Sequence, residues 1–380
     1  MQNEHIYYQA LARFDKIGPA RLRNLLKTFP SVETIWNASA QELSHAGLGE
    51  QVAAEFVAWR RDQNIEKQWE ELEKEGIQVV TWNDTGEPQG QSFVGEGLSL
   101  GLRYPTLLKE IHDPPHTLFV RGTLPQSDFT LAVVGTRMAT VYGRQIVEQI
   151  VRPLARTGLT IVSGLALGVD ALAHASTLDE QGTTVAILGG GCDRASIYPT
   201  SNRALAERIV ESNGALVSEY PPHTLAMPYH FPIRNRIIAG MSRGTFVIEA
   251  AEDSGSLITA RHALEQNREV FTVPGDITRN TSKGPNNLLK MGAHPVLCAD
   301  DILDALNLHD LKATIEAKKI LPDDPIEEAI LTYVTDAPIH IDELVAHTKL
   351  GAGALGSSLT LMEMKGKVRH IGGMNYVLAR

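Results

Sequence analysis

Leu131-Ala132-Val133-Val134-Gly135-Thr136-Arg137 opens a pattern that recurs through the middle of this chain: a short apolar run halting at a glycine and hydroxyl turn. Comparable runs follow at Thr160–Gly164, Thr184–Gly189, Ala215–Glu219, Thr245–Glu249 and Glu269–Pro274. Between them, Gly143–Arg156, Asp170–Glu180 and Asn202–Ser212 carry helical periodicity. Strands alternating with amphipathic helices predict a mostly parallel sheet with helices on both faces. Ligands of such sheets bind outside the C-terminal strand ends. Residues 104–310 are therefore expected to form an extended Rossmann-like α/β core.

The flanks read differently. Residues 1–82 form short helices, with turns at Ile17-Gly18-Pro19-Ala20 and Ala46-Gly47-Leu48-Gly49. Such turns can aim backbone N–H groups at a phosphate, or they can belong to a bundle that only packs on its neighbour. Residues 83–103, with Thr85–Leu102 rich in Gly and Gln, read as a loop or insertion. Residues 311–325 read as a linker. In residues 326–380, helices at Ile326–Val334, Ile341–His347 and Gly353–Lys365 precede a hairpin of Lys367–Gly372 and Met374–Leu378. Three helices and a hairpin suggest a winged helix.

The chain has 380 residues, 43% of them hydrophobic, enough for a substantial core. Neither a signal peptide nor an apolar run of membrane-spanning length is visible. Cys192 and Cys298 are far apart and outside any CxxC pair, so a disulfide framework and a zinc site are not expected. These features suit the cytoplasm. Net charge is −10, yet residues 103–300 hold 18 Lys+Arg and 18 Asp+Glu, so the flanks supply the whole acidic excess. In that neutral segment Arg outnumbers Lys 15 to 3. Arg offers a planar fork for phosphate and a face for bases, though surface ion pairs produce the same bias.

The first strand ends in Gly135-Thr136-Arg137, without the GxGxxG of a dinucleotide site or an acidic residue at the second strand end. GxxxxGK[ST] is absent too, which disfavours NAD and ATP hydrolysis. The strand ends instead carry Gly135-Thr136-Arg137, Ser163-Gly164 with Gly168, Gly189-Gly190-Gly191 and Ser254-Gly255-Ser256. Small residues let N–H groups approach an anion, and Ser254 or Ser256 can cap a helix starting at Leu257. Four such turns on one sheet edge predict a phosphate site. Phe231-Pro232-Ile233-Arg234-Asn235-Arg236 is the most informative stretch, with Pro232 suited to the first turn of a helix running to Met241. Arg234 and Arg236 then sit near its positive end, which a bound phosphate or an acid such as Glu219 would relieve. Tyr229, His230 and Phe231 offer stacking faces for bases, or serve as core aromatics. Asp170 is expected to cap or neutralise a helix start, with His174 one turn on as its partner. Glu249 is a candidate general base, but no nucleophile accompanies it.

Together these motifs resemble the DprA (Smf) family, DNA-processing proteins of natural transformation. The resemblance covers nearly the whole chain. It includes Tyr104-Pro105, Asp113-Pro114-Pro115 through Gly122, Val134-Gly135-Thr136-Arg137, Ser163 to Asp170 with His174, and Tyr198-Pro199. It continues through Ser218-Glu219, Phe231-Pro232 with Arg234-Asn235-Arg236, Glu249 with Ser254-Gly255-Ser256, and Val273-Pro274-Gly275. It implies a helical SAM-like N-terminal domain, the Rossmann-like core and a winged-helix C-terminus. It also implies a dimer that binds single-stranded DNA, protects incoming DNA and helps load RecA, with no catalytic activity, cofactor or metal. Arg137, Phe231, Arg234, Asn235 and Arg236 match the family's pocket motifs. Gly135, Thr136, Ser163, Gly164, Ser254, Gly255 and Ser256 complete the expected DNA-binding set. Where some relatives have a lysine before Phe-Pro, this chain reads Leu225-Ala226-Met227-Pro228-Tyr229. A LOG-type phosphoribohydrolase is the competing reading, but its PGGxGTxxE run is missing; Arg243-Gly244-Thr245 through Glu249 is a partial echo.

Overall fold

The computed structural model describes residues 2–84, 102–308, 322, 324–335 and 337–378. The 85–102 insertion and the 311–325 linker thus fall mostly outside the described residues. The chain divides into two compact units, Met1–Ile302 and Leu303–Arg380.

The larger unit is built on one sheet. Its strands are β1 Ile77–Thr81, β2 Thr117–Gly122, β3 Thr130–Val134, β4 Thr160–Ser163, β5 Thr184–Leu188, β6 Ala215–Ser218, β7 Gly244–Val247, β8 Glu269–Thr272 and β9 His294–Pro295. Their spatial order is β1-β2-β6-β5-β4-β3-β7-β8-β9. Neighbours from β6 to β9 run parallel, whereas β1–β2 and β2–β6 are antiparallel. Every residue of β3, β4, β5, β6 and β7 is buried. Helices cover both faces, so these strands read as uncharged, mainly apolar runs instead of alternating apolar and polar residues.

The six runs read from the sequence form six of these strands, each ending one or two residues earlier than the run. The remaining three are the antiparallel strands β1 and β2 and the two-residue β9. β1 sits at the end of the helical segment, and Ile77 to Thr81 pair with Arg121 to Thr117 of β2. The helical segment is therefore stitched to the sheet edge by backbone hydrogen bonds. Its own core holds Leu25, Ile35, Leu43 and Ala53 around an aromatic cluster. Within that cluster, Phe14, Trp36, Phe56 and Trp59 have ring centroids 5.2–6.1 Å apart. Leu72 joins Ile77, Val79 and Phe119 in the cluster beneath the sheet.

The smaller unit has helices Pro325–Leu331, Ile341–Thr348 and Ala352–Met364, and a three-stranded sheet. β10 Ile339–His340, β11 Val368–Gly372 and β12 Asn375–Leu378 pair in the order β10-β12-β11. This is the expected winged helix, packed around Ile330, Leu344, Leu355, Leu359 and Met362. The third of these helices, Ala352–Met364, carries few long polar side chains. Ser357 and Thr360 hydroxyls donate back to Gly353 and Gly356 carbonyls, and Lys365 just past its end binds Glu327 at 2.7 Å.

Phe119 lies fully buried where the helical segment meets the sheet. Phe119→Ala should cost about 3–5 kcal/mol, the usual range for a buried Phe. In a urea titration, tryptophan fluorescence from the Trp36–Trp59 cluster and far-UV dichroism should shift together. A tryptophan transition left at its wild-type midpoint would show that the helical segment unfolds independently.

Candidate nucleic-acid interface

The strand order reverses about β3: the chain fills β4, β5 and β6 on one side, then β7, β8 and β9 on the other. Parallel sheets open a crevice at such a switch point, beyond the carboxyl ends of the strands. Here it holds a cavity of about 470 Å³. Gly135 and Arg137 enter it from the loop after β3, and Ser254-Gly255-Ser256 from the turn after β7. The helix His230–Gly240 closes one wall with Phe231, Arg234 and Asn235. Eight of the twelve expected residues thus converge, while Thr136, Ser163, Gly164 and Arg236 do not line the cavity.

Arg234 is 4% exposed. One guanidinium nitrogen, Nη1, donates to the Gly164 carbonyl at 2.9 Å and to the Ile187 carbonyl, joining the ends of β4 and β5. Asp170 faces it across Gly164, where a Cβ would lie 2.7 Å from Arg234 Nη2 and 2.8 Å from Asp170 Oδ2. The Asp170 carboxylate accepts the N–H groups of Gly164 at 3.0 Å and Ala166 at 3.4 Å. The anion expected at this turn is the chain's own. Burial lowers the Arg234 pKa to about 10 while Asp170 raises it, so the guanidinium stays charged at neutral pH. Burial raises the Asp170 carboxyl above its ordinary value, and Arg234 with the two amides offsets only part of that rise.

His174 is not the partner of Asp170. Its Nδ1 meets Thr184 Oγ1 at 2.6 Å, and that hydroxyl donates to the Ile161 carbonyl. The Ser163 hydroxyl likewise turns into the sheet, donating to the Val133 carbonyl at 2.6 Å. Thr136 Oγ1 accepts the Met138 N–H within its own turn. Ser254 and Ser256 do not cap in the expected way, because the helix starts at Ser256 and its N-cap is Gly255. Their hydroxyls bond each other at 2.8 Å, and Asn235 Nδ2 holds the turn through the Gly255 carbonyl at 3.1 Å.

Arg236 requires a larger correction. The helix begins at His230, two residues earlier than Pro232 suggested, so both arginines lie past the first turn where the dipole acts. Arg236 Nη2 donates to both oxygens of Glu219 at 2.7 and 2.8 Å, with Asp113 3.5 Å away. It faces a groove between the helical segment and the core, the structural ion pair that Glu219 made possible. His230 points to the same side and stacks on Tyr220 at 4.1 Å. Phe231 alone of the three aromatics reaches the cavity. Its half-buried ring has Arg137 Cζ at 5.7 Å, Arg234 Cζ at 5.8 Å and the Tyr198 ring at 5.8 Å. Tyr198, 53% exposed, is a cavity residue that site reasoning passed over. Its signal was present in Tyr198-Pro199, with no charge or glycine to mark it.

Arg137 is exposed, and the N-terminus of a ten-residue helix lines the same cavity. A guanidinium, backbone amides and two aromatic faces suit an extended anion bearing planar groups. Among the described residues, no group of three His, Cys, Asp or Glu could hold a metal ion.

Two buried histidines give stability a defined pH dependence. Burial, then Arg234, lowers His174 to about 3, and burial, then Arg23, lowers His116 to about 4. Below about 6.5 the unfolded chain therefore takes up protons that the folded chain refuses. Each histidine should remove up to about 1.4 kcal/mol of stability per pH unit as pH falls from 6.5 toward its folded value. Urea titrations between pH 7 and 4.5 should show a shallower loss in His174→Gln than in wild type. Equal slopes would contradict the buried neutral imidazole.

The family profile described as DNA recombination-mediator protein A matches residues 100–307, and that of the DprA winged helix domain matches residues 316–374. Protein Smf of Synechocystis sp. is 32% identical, covering 98% of this chain and 98% of the relative. Protein Smf of Escherichia coli is 40% identical over 73% of this chain and 75% of its own length. The X-ray structure of DNA processing protein A from Streptococcus pneumoniae aligns with a TM-score of 0.63 and 30% identity, covering 78% of this chain and 97% of that one. A Rossmann-like core, a winged-helix unit and matches of this extent place the chain in the DNA recombination-mediator protein A (DprA/Smf) family.

Proposed function

We propose that the strand-end cavity binds single-stranded DNA, and that the protein works as a recombination mediator by presenting that strand. The observation that carries this reading is the convergence of Arg137, Phe231, Tyr198 and the Ser254-Gly255-Ser256 turn on one cavity. Arg137, with the Gly255 N–H and the Ser254 and Ser256 hydroxyls of the turn, takes phosphates, while the Ser254 N–H is held by the Ala251 carbonyl at 3.1 Å. Phe231 and Tyr198 offer ring faces to bases, a contact open only when bases are unpaired and splayed. A duplex hides those faces, so single strands are preferred. Arg234 and Asn235 hold the wall in place, and Gly135, Thr136, Ser163 and Gly164 shape the turns.

The mediator acts without chemistry of its own. Of the acids nearest the strand ends, Asp170 and Glu249 each accept hydrogen bonds from two fixed protein donors, and Glu219 accepts from the Arg236 guanidinium. By the family resemblance the protein works as a homodimer and passes the bound strand to RecA.

Arg137→Ala should weaken single-strand binding across sequences and flatten the salt slope by about 0.7, one phosphate contact. Phe231→Ala should cost about 1–3 kcal/mol of binding with the slope intact, because stacking releases no counterion. Arg236→Ala should lower the melting temperature and leave the slope unaltered. Titration of labelled oligonucleotides over a salt series distinguishes the three. Wild-type affinity in both Arg137→Ala and Phe231→Ala would contradict the assignment of the cavity.

A further inference from the structure

Glu249 follows β7, is 2% exposed and has no part in the cavity lining. Its carboxylate is nonetheless bonded to the loop that carries Arg137. Oε2 accepts the Thr140 N–H at 3.0 Å, and Oε1 accepts the Thr140 hydroxyl at 2.6 Å. Thr140 is the N-cap of the helix Val141–Ile146, its Oγ1 accepting the Gly143 N–H at 3.3 Å. The helix approaches so closely that a Cβ on Gly143 would lie 2.3 Å from Glu249 Oε2. The other end of the loop is held as well, the Val169 N–H donating to the Thr136 carbonyl at 3.1 Å. Arg137 sits between these two anchors, with its guanidinium over Phe231.

We propose that Glu249 is a positioning residue for nucleic-acid binding: its buried carboxylate fixes Thr140 and so holds the loop that presents Arg137 at the cavity. The inference rests on the single-strand reading of that cavity. A negative charge beneath a polyanion site is otherwise unfavourable, and a carboxylate accepts the Thr140 N–H and the Thr140 hydroxyl at once, one on each oxygen. A glutamine keeps one acceptor, and its N–H₂ forces the hydroxyl to accept instead of donate and weakens both bonds by losing the charge.

This makes the sign of the mutant effect diagnostic. If Glu249 contributed only charge, Glu249→Gln would tighten DNA binding by removing repulsion. A positioning role requires the reverse. In Glu249→Gln, affinity for a labelled oligonucleotide should fall by about fivefold or more, and the further loss on adding Arg137→Ala should shrink, as for residues acting through one another. Thr140→Val, which keeps the charge and removes the hydroxyl's bond to Glu249 together with its N-cap bond to Gly143, should weaken binding in the same direction. Thr281→Val should not, since Thr281 touches the same carboxylate at 3.3 Å from outside the loop.

Hydrogen exchange on the free protein tests the clamp without DNA, and amides 137–140 should exchange faster in Glu249→Gln at an otherwise native protection pattern. Unchanged exchange there, tighter or unchanged binding in Glu249→Gln, or full additivity with Arg137→Ala would each overturn the proposal. Failure of the wild-type protein to bind the oligonucleotide would instead overturn the single-strand reading, and the exchange result would still decide the clamp.

Discussion

The cavity depends on one buried charge pair. Arg234 and Asp170 flank the space that a Cβ on Gly164 would fill, and between them they engage the Gly164 carbonyl, the Gly164 and Ala166 amides and the Ile187 carbonyl. Gly164 directly follows β4, Ala166 lies in the loop beyond it, and Ile187 is the penultimate residue of β5. The two side chains thus tie the end of β4 to β5 and to the start of the helix Val169–Asp179. Its cost is the desolvation of two charges, tolerable only because each is well hydrogen-bonded. Removing one partner would strand the other at the floor of the cavity.

A second consequence follows from helix geometry. Arg234 and Arg236 are two residues apart, so they leave the helix His230–Gly240 in different directions. One braces the strand-end cavity and the other locks Glu219 and Asp113 on the groove beside the helical segment. The same helix places Phe231 in the cavity and His230 against Tyr220 on the groove side. The proposed binding falls to the more exposed groups: Arg137 on its loop, Tyr198, Phe231 and the turn before the helix Ser256–Glu265. Buried arginines give rigidity, and an exposed one gives contact.

Much of this was legible in the sequence because it is local. The apolar runs ending in glycine marked the central strands, and the turns after β3 and β7 were correctly brought to one edge. β2 escaped because Thr117–Gly122 is antiparallel and lacks the helix that flags each parallel strand. β1 escaped because it follows directly on helices of a different segment. Arg236 was misplaced for a different reason. Its charge and spacing match those of Arg234, and only the fold brings Asp113 and Glu219 onto it. The partner of Asp170 is equally non-local: one helical turn pointed to His174, whereas the fold supplies Arg234 and two amides. Periodicity reports which face a residue occupies, and not which distant groups meet it there.

The central claim is that one strand threads the cavity between Arg137, Phe231 and Tyr198. The most direct measurement is photocrosslinking of an oligonucleotide containing 5-iododeoxyuridine to the wild-type protein, with the attachment sites mapped by mass spectrometry. Crosslinks are expected at Phe231 and Tyr198, lost when unlabelled single-stranded competitor is added and retained with duplex. Crosslinks confined to the winged-helix unit, or to Tyr220 and Tyr229 on the groove side, would contradict it.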